Sequence, residues 1–505
     1  MPYINDCNDR FRANLRTEPG QRGGKRICQL IWGDMVHPTG RRERGFAEVH
    51  ARGHGEAGWV PEDCLTDDGL LEFYIIDVGQ GDGILVRTPD DKWHLVDAGV
   101  SNERQDTKKG AANFIRWKFN RDLKQPARLA TVTMSHPDFD HYGGMINLLS
   151  GKLAEDEELF EVDVDTFYHT GMGRFASKPS LGETVEGEIG GFPIGGYNMR
   201  RKDRFIVELL SDKASFLNPP RPLKYPFSKL AELVGRHTAA AERLGSPGGD
   251  TAWFPGYAPA DNVTGADGTP LTVRILAPIV EEFTDEDGQL RRGLRQLKSE
   301  SVTRNGHSVT LRFDYGDASI MLTGDLNSES QRLLLSYIDG REFASDVAKG
   351  CHHGSEDVDM RFIKAMAGGA TVISSGDNES YAHPRPVILG ASGFYGREIE
   401  TTDKGKMPPI VYSTELARST AITNADRVRV DHDDDDDTRA RLYRPDDVDV
   451  CADGGRYRKL TKTPIVTDLI YGLVNVRTDG RRIICATMME SGKDFDIKTF
   501  YPAAA

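Results

Sequence analysis

What most restricts the fold of this chain is a repeated pattern: short apolar runs of strand length that stop at histidine or aspartate. ARLATVTMS runs into SHPDFDHYGG at residues 135 to 144, SVTLRFDYGDASIMLTGD ends on Asp325, DVAKGCHHGS carries His352 and His353, and ATVISSG precedes His383 in YAHP. Upstream, LEFYIIDVGQGDGILVRT and WHLVDAGV have the length and composition of buried strands joined by polar turns. KGAANFIRWKFNR predicts a helix, and GGMINLLSG another directly after the His/Asp loop. Strands alternating with helices predict an α/β fold whose rigid sheet presents side chains on loops at its strand ends.

Four possible metal donors, His136, Asp138, Asp140 and His141, fall within six residues. On a loop after a strand, positions i, i+2 and i+4 can converge on one side, and i+5 can reach round to a neighbouring point. Imidazole nitrogen and carboxylate oxygen are ligands for zinc, manganese or iron. His307 begins the strand that leads to Asp325. A chain with 13 histidines places some at strand ends by chance, so spacing alone names candidates.

The chain has 505 residues, more than one core accommodates, so two or three units are expected. Hydrophobic content of 38% and charged content of 28% are those of a soluble globular protein. There is no apolar run long enough to span a membrane. MPYINDCNDRFRANLR lacks the apolar segment of a secretion signal, so a cytoplasmic location is expected. Six cysteines without a CxxC point to reduced thiols, not to a disulfide framework or a thiolate zinc site. The net charge of -14 argues against a non-specific nucleic-acid coat protein, but not against an enzyme with a basic groove. One local basic cluster, Arg200, Arg201, Lys202 and Arg204, is either a solvated face or part of such a groove.

Residues 1–68 read as short strands and turns, ANLRTEPG, ICQLIWGDMV and GFAEVHARGHGEAGWVPEDCL. Residues 171–270 are Gly- and Pro-rich, a connection long enough to be a functional element or a subdomain. Within them FIVELLSDKASFL and FSKLAELVGRHTAAAERLG predict helices. The acidic run HDDDDDT at 432–438 reads as a solvated turn, and LIYGLVNVRTDGRRIICATMM as a hairpin turning at Asp479 and Gly480.

In their order, FYIIDVGQGDGILV, LVDAG, SHPDFDHYGG, LAP, NGHSVTL, LTGD, HHGS and ISSGDNESYAHP resemble the metallo-β-lactamase superfamily. Within it they are most similar to the ComEC-like branch, the nuclease-type domain of competence DNA-uptake proteins. Leu15, Arg16, Pro19, Gly20, Gly58, Trp59, Val60 and Leu65 resemble a bacterial SH3-like domain. The resemblance implies an α/β fold, an αββα sandwich over residues 69–505, preceded by a small all-β SH3-like barrel over residues 1–68. Residues 171–270 would then be an insertion over the active site, and 441–505 a closing β-hairpin region.

The resemblance also implies two divalent metal ions, zinc first and manganese second. The parent motif has histidine where Asp138 stands, and an added carboxylate suits manganese better than a His-rich site does. His136, Asp138 and His307 would hold one ion, and Asp140, His141 and His353 the other, with Asp325 bridging. In HHGS the resemblance favours His353 as the ligand and His352 as a contact behind it or to substrate, with the reverse assignment as the alternative. His352 and His383, with Asp140, complete the catalytic group by contacting substrate or the leaving oxygen. Asp97 would orient a ligand. Asp77, Gln80 and Asp82 would line the site as turn residues. Arg200, Arg201, Lys202 and Arg204 would meet phosphates.

The expected activity is cleavage of phosphodiester bonds by a two-metal-activated hydroxide, as in a DNase-type nuclease acting on nucleic acid. The alternative is a metallohydrolase of a small phosphoester, carboxylic ester or lactone, with the SH3-like domain binding a ligand or protein as a targeting module. A non-catalytic scaffold is the third reading.

Overall fold

The computed structural model describes residues 2–105, 110–151, 160–194, 197–248, 251–376, 383–414, 472–489 and 494–503, with four short strands between 428 and 459. The acidic run at 432–438 lies outside the described residues.

Two sheets form the body. The first takes β1 (Leu71–Ile75), β2 (Gly83–Arg87), β3 (Trp93–Ala98), β4 (Ala127–Thr133), β5 (Val162–His169) and β6 (Thr238–Arg243). The second takes β7 (Ala252–Trp253), β8 (Leu271–Ala277), β9 (Thr310–Tyr315), β10 (Ala318–Leu322), β11 (Val347–Lys349), β12 (Ala370–Ile373) and β13 (Ile410–Ser413), in that order. The chain then returns to the first sheet with β14 (Val474–Thr478), β15 (Ile483–Met488) and β16 (Phe495–Phe500), giving the order β6-β5-β4-β3-β2-β1-β14-β15-β16.

Every residue of β1, β2 and β3 is buried, because both faces of the sheet are covered. One face is coated by α1 (Ala111–Arg116), α2 (Phe139–Ser150) and α4 (Phe227–His237), through Ile115, Leu148 and Leu230 packed with Leu85 and Leu95. The other face meets the second sheet, where Phe73 sets its ring edge-on to Phe313, 5.0 Å between centroids. The outer face of the second sheet is covered by α6 (Ser328–Tyr337), α7 (Met360–Met366) and α8 (Pro386–Tyr395) through Leu334, Phe362 and Ile388. The layers therefore run helix, sheet, sheet, helix. β3–β6 are mutually parallel, as are β10–β13, so each sheet gathers carboxyl ends of strands along one edge. Among the described residues no helix is long and apolar enough to cross a membrane.

Three expectations change. Residues 171–270 are not one insertion. Thr184–Ile194 and Tyr197–Ile206 pair with the hairpin Glu281–Asp285 and Leu290–Arg295 into a closed four-stranded barrel. Beyond Ile206 the chain rejoins the core through the short α3 (Lys213–Leu217), then α4, then β6 at the edge of the first sheet. FIVELLSDKASFL is thus a strand end, a loop and α3, and TAAAER is a strand. Its alanines favour helix, but the parallel ladder with β5, Val164 to Thr238 and Thr166 to Ala240, overrides local propensity.

The N-terminal unit is an open five-stranded antiparallel sheet rather than a closed barrel. Its order is Arg26–Ile31, Arg12–Arg16, Gly58–Pro61, Phe46–Ala51, Val36–Glu43. It has its own core of Leu15, Leu30, Val49 and Val60, but it is not free-standing. Ile31 packs on Ala486 and Phe495, and Phe11 and Trp32 on Leu70 and Ile484. Buried Arg477 of β14 donates to the Trp32 carbonyl at 2.5 Å and to Asp34 at 2.8 Å. Within the 441–505 region, β14 and β15 turn through Gly480 at φ +88°, and β16 forms the sheet edge.

Candidate metal centre

β4 delivers the His/Asp motif. Ser135 donates its backbone N–H to Asp97 Oδ1 at 2.7 Å, and His136 is fully buried. The motif is not all loop. α2 begins at Phe139, so Asp140 and His141 lie in its first turn, where a carboxylate suits the helix dipole. Two glycines let that helix press onto β3: a Cβ on Gly144 would stand 2.0 Å from the Ala98 carbonyl oxygen, and one on Gly143 2.6 Å from Ser101 N. Across the site, Gly81 of the GQGD turn has φ +106°, and a Cβ there would stand 1.7 Å from the Asp140 carbonyl oxygen.

Asp325, at the end of β10, is the hub. Its Oδ2 lies 3.2 Å from His141 Nε2, 3.1 Å from His353 Nε2, 3.7 Å from His352 Nε2 and 3.9 Å from His136 Nε2. Asp140 Oδ2 is 3.7 Å from His353 Nε2. Ligand atoms of His136, His141 and Asp325 lie within 4.8 Å of one another, and so do those of Asp140, His141 and His353. A third such group joins Asp82 to Asp325 and His353.

Each imidazole on the His141–His353 side is backed by a buried partner. His141 Nδ1 sits 2.7 Å from Asp97 Oδ2, and His353 Nδ1 sits 3.1 Å from the Ser374 carbonyl and 3.3 Å from Asp82. Lys349 Nζ stands 2.5 Å from Asp82 and donates to the Gly324 carbonyl at 2.8 Å. Burial works against a charged His141, but Asp325 and Asp97 outweigh it and hold its pKa well above the usual range. Likewise burial opposes, but Asp325 and Asp82 prevail, and His353 rises to about 10. Burial, aided by the charge on His141, drives His136 down to about 3. Asp325 is held well below the carboxylate range, against its burial, by His353, His141 and His352.

The donor set fits a divalent transition metal. Among the described residues His136 Nε2 and Asp325 Oδ1 are buried with no hydrogen-bond partner. Such atoms are costly to bury unless something coordinates them. A cation would also take the place of the protons that His141 and His353 hold.

Other candidates lie differently. His353 sits at the cluster. His352 is at its rim, beside the Asn305 side chain at 3.2 Å, and both histidines adopt left-handed φ values of 48° and 53°, a strain that recurs at functional sites. His383 is buried with its ring 6.1 Å from that of His352. His307 is not brought to the cluster: its Nε2 donates to the Arg295 carbonyl at 2.7 Å, and burial lowers its pKa to about 4. Ser308 takes the nearer position, with its hydroxyl 3.2 Å from His136 Nδ1. Asp138 joins none of the converging groups. Its Oδ2 is 3.9 Å from His136, while Oδ1 accepts from Arg304 at 2.7 Å and pairs with Arg174 at 3.3 Å.

Arg200, Arg201, Lys202 and Arg204 all lie on the Tyr197–Ile206 strand of the small barrel. Lys202 and Arg204 are exposed, and Arg204 pairs with Glu186 at 3.5 Å. The basic residues at the cluster are instead Arg174, Arg304 and Lys349. The sequence motifs single out none of the three. A lysine closing the apolar DVAK run, and an arginine three residues before His307 in RNGHS, are the only local signals.

No protein-family model matches the chain. A stretch of 111 residues, 22% of this chain, is 29% identical to the protein named Competence protein ComA of Neisseria gonorrhoeae, and covers 16% of it. A stretch of 89 residues, 17% of this chain, is 32% identical to ComE operon protein 3 of Bacillus subtilis (strain 168), and covers 11% of it. The chain therefore matches only a small part of the length of either competence protein.

Proposed function

We propose that this protein is a metal-dependent hydrolase of the metallo-β-lactamase type that cleaves phosphodiester bonds, with DNA as its substrate. The observation that carries the reading is the convergence of His136, His141 and His353 on the shared carboxylate of Asp325, with Asp140 grouped beside His141 and His353. The partial likeness to two competence proteins is consistent with the ComEC-like motifs, and it is the resemblance of those motifs that suggests DNA.

Asp140, His141, His353 and Asp325 would hold one divalent ion, and His136, Asp325 and Asp138 a second. Bound metal of this kind supplies a water acidified to a pKa near 7 and neutralises charge on a phosphoryl oxygen. The protein residues do the rest. Asp97 and the Ser374 carbonyl fix the rings of His141 and His353, so their Nε2 atoms face Asp325. Lys349 balances Asp82 and keeps that carboxylate from adding uncompensated charge. His352, one-quarter exposed at the rim, would contact the leaving oxygen.

The test is cleavage of labelled single- and double-stranded DNA with added manganese or zinc, beside Asp140→Ala. Metal-dependent cleavage that the variant lacks supports the reading. A metal-loaded protein that leaves DNA intact but hydrolyses small esters or lactones overturns it.

A further inference from the structure

The site has two cations on one carboxylate at its mouth. Arg304 Nε and Arg174 Nη1 both address Asp138 Oδ1, at 2.7 and 3.3 Å. Asp138 Oδ2 is 3.9 Å from His136 Nε2, so the pair contacts one candidate ligand directly and stands one side chain from the next. The side chains of Arg304 and Arg174 are 11% and 25% exposed, neither sealed in nor loose on the surface. Two guanidinium groups against one carboxylate leave one guanidinium charge that Asp138 does not balance. A single arginine would have satisfied Asp138. Among the described residues the Nη1 and Nη2 groups of Arg304 make no hydrogen bond, so donors of its fork remain for a further acceptor.

The two arginines come from separate elements that are fastened together. Arg304 lies in the last turn of α5 (Glu300–Gly306), capped by Ser299, whose hydroxyl accepts from Val302 N at 3.2 Å. Arg174 follows β5. Glu300 at the start of α5 accepts from Ser180 N at 3.0 Å and Ser180 Oγ at 2.5 Å, tying the helix to the segment that carries Arg174. The spacing of the pair is thus held before any ligand arrives.

We infer that Arg174 and Arg304 form an anion clamp that takes the non-bridging oxygens of a phosphodiester beside the metal centre and selects such substrates over neutral esters. This rests on the phosphodiester reading above. A guanidinium fork matches the paired oxygens of a phosphodiester, which carries a charge before reaction, whereas a carboxylic ester or lactone offers one neutral carbonyl. Asp138 holds the clamp in place in the absence of substrate and links it to His136.

The experiment compares wild type with Arg304→Gln, Arg174→Gln and Arg304→Lys, after confirming metal content and Tm. Turnover is measured on bis(p-nitrophenyl) phosphate and on p-nitrophenyl acetate. Binding of a fluorescent single-stranded phosphorothioate oligonucleotide is followed against salt. Each Gln variant should raise KM for the diester about tenfold, the loss of one good charged contact, with a smaller change in kcat and a smaller KM change on the acetate. Each should lower the slope of log binding against log salt by about 0.7. Arg304→Lys keeps the charge, so it should restore the slope but not the KM. Diester KM and salt slope unchanged in both Gln variants would overturn the clamp, even though wild type cleaves the diester. If metal-loaded wild type cleaves no diester, the hydrolase reading fails by itself. The binding arm then decides the clamp: slopes lost in the variants uphold it, and equal slopes or no binding by wild type reject it.

Discussion

The two halves of the centre are built on different terms. On the His141–His353 half, each imidazole has a buried partner on its far nitrogen, and those partners are themselves held by Ser135 or Lys349. On the His136 half, the imidazole meets only the hydroxyls of Ser135 and Ser308 through Nδ1 and has an unpartnered Nε2, Asp138 is shared with two arginines, and His307 faces a backbone carbonyl. As metal sites, one half would be backed by carboxylates and a carbonyl, the other by hydroxyls and Asp138. The lesson is that a shared motif does not guarantee two equal sites, because the residues behind the ligands decide how firmly each is held.

The largest effect should come from Asp325→Ala, which removes the carboxylate common to both halves. Hydrolysis should fall on the order of 10²–10³-fold, the scale set by losing one preorganised electrostatic group. Metal analysis should show both ions lost; retention of either would break the account of Asp325 as hub.

Asp97→Asn keeps the shape and removes the charge behind His141. Metal affinity of that half should drop by about 10–100-fold, measured by chelator competition. His136→Ala should instead remove one equivalent and spare the other. If both variants weaken both ions alike, the halves are not distinct.

Proton release sharpens the contrast further. His141 and His353 have raised pKa values and are protonated at neutral pH, whereas His136, at about 3, is already neutral. Calorimetry in buffers of different ionisation enthalpy should show protons leaving when the first half fills and none from His136 when the second does. The same shift fixes a sign for the metal-free protein. The folded pKa of His353 is raised, so its stabilisation is full below its unfolded value near 6.5 and fades as pH rises toward 10.

The smallest effect belongs to Lys202→Ala with Arg204→Ala. Both are exposed on the small barrel, so stability should change by no more than about 0.5 kcal/mol. DNA cleavage should be unaltered; a clear loss would return that strand to the substrate path.

The legible parts of the chain are those where local pattern and tertiary setting agree. LEFYI and GILVR are uniformly apolar because both sheet faces are covered, so their strands stand out in the sequence. TAAAER reads as helix because its strand character comes from β5, some 75 residues earlier in the chain. His136, His141 and Asp325, and the His352–His353 pair taken together, are candidates from motif order; which histidine of the pair meets Asp325 at 3.1 Å comes from the fold. His307 is not separable from Ser308 in the sequence, because neighbours on one turn face opposite sides and only the packing against Arg295 decides which. Arg174 and Arg304 have no motif, since what gathers them is the Glu300–Ser180 link between distant segments.

The docking of the N-terminal sheet onto β14, β15 and β16 bears on how the protein is made. Ile31, Trp32 and Asp34 are synthesised more than 440 residues before Arg477, Ile484 and Phe495, which cover them. β1 likewise waits for β14 as its second neighbour. During translation the nascent chain must therefore carry an exposed apolar face and an unpaired strand edge until β14, β15 and β16 arrive, surfaces of the kind that invite aggregation.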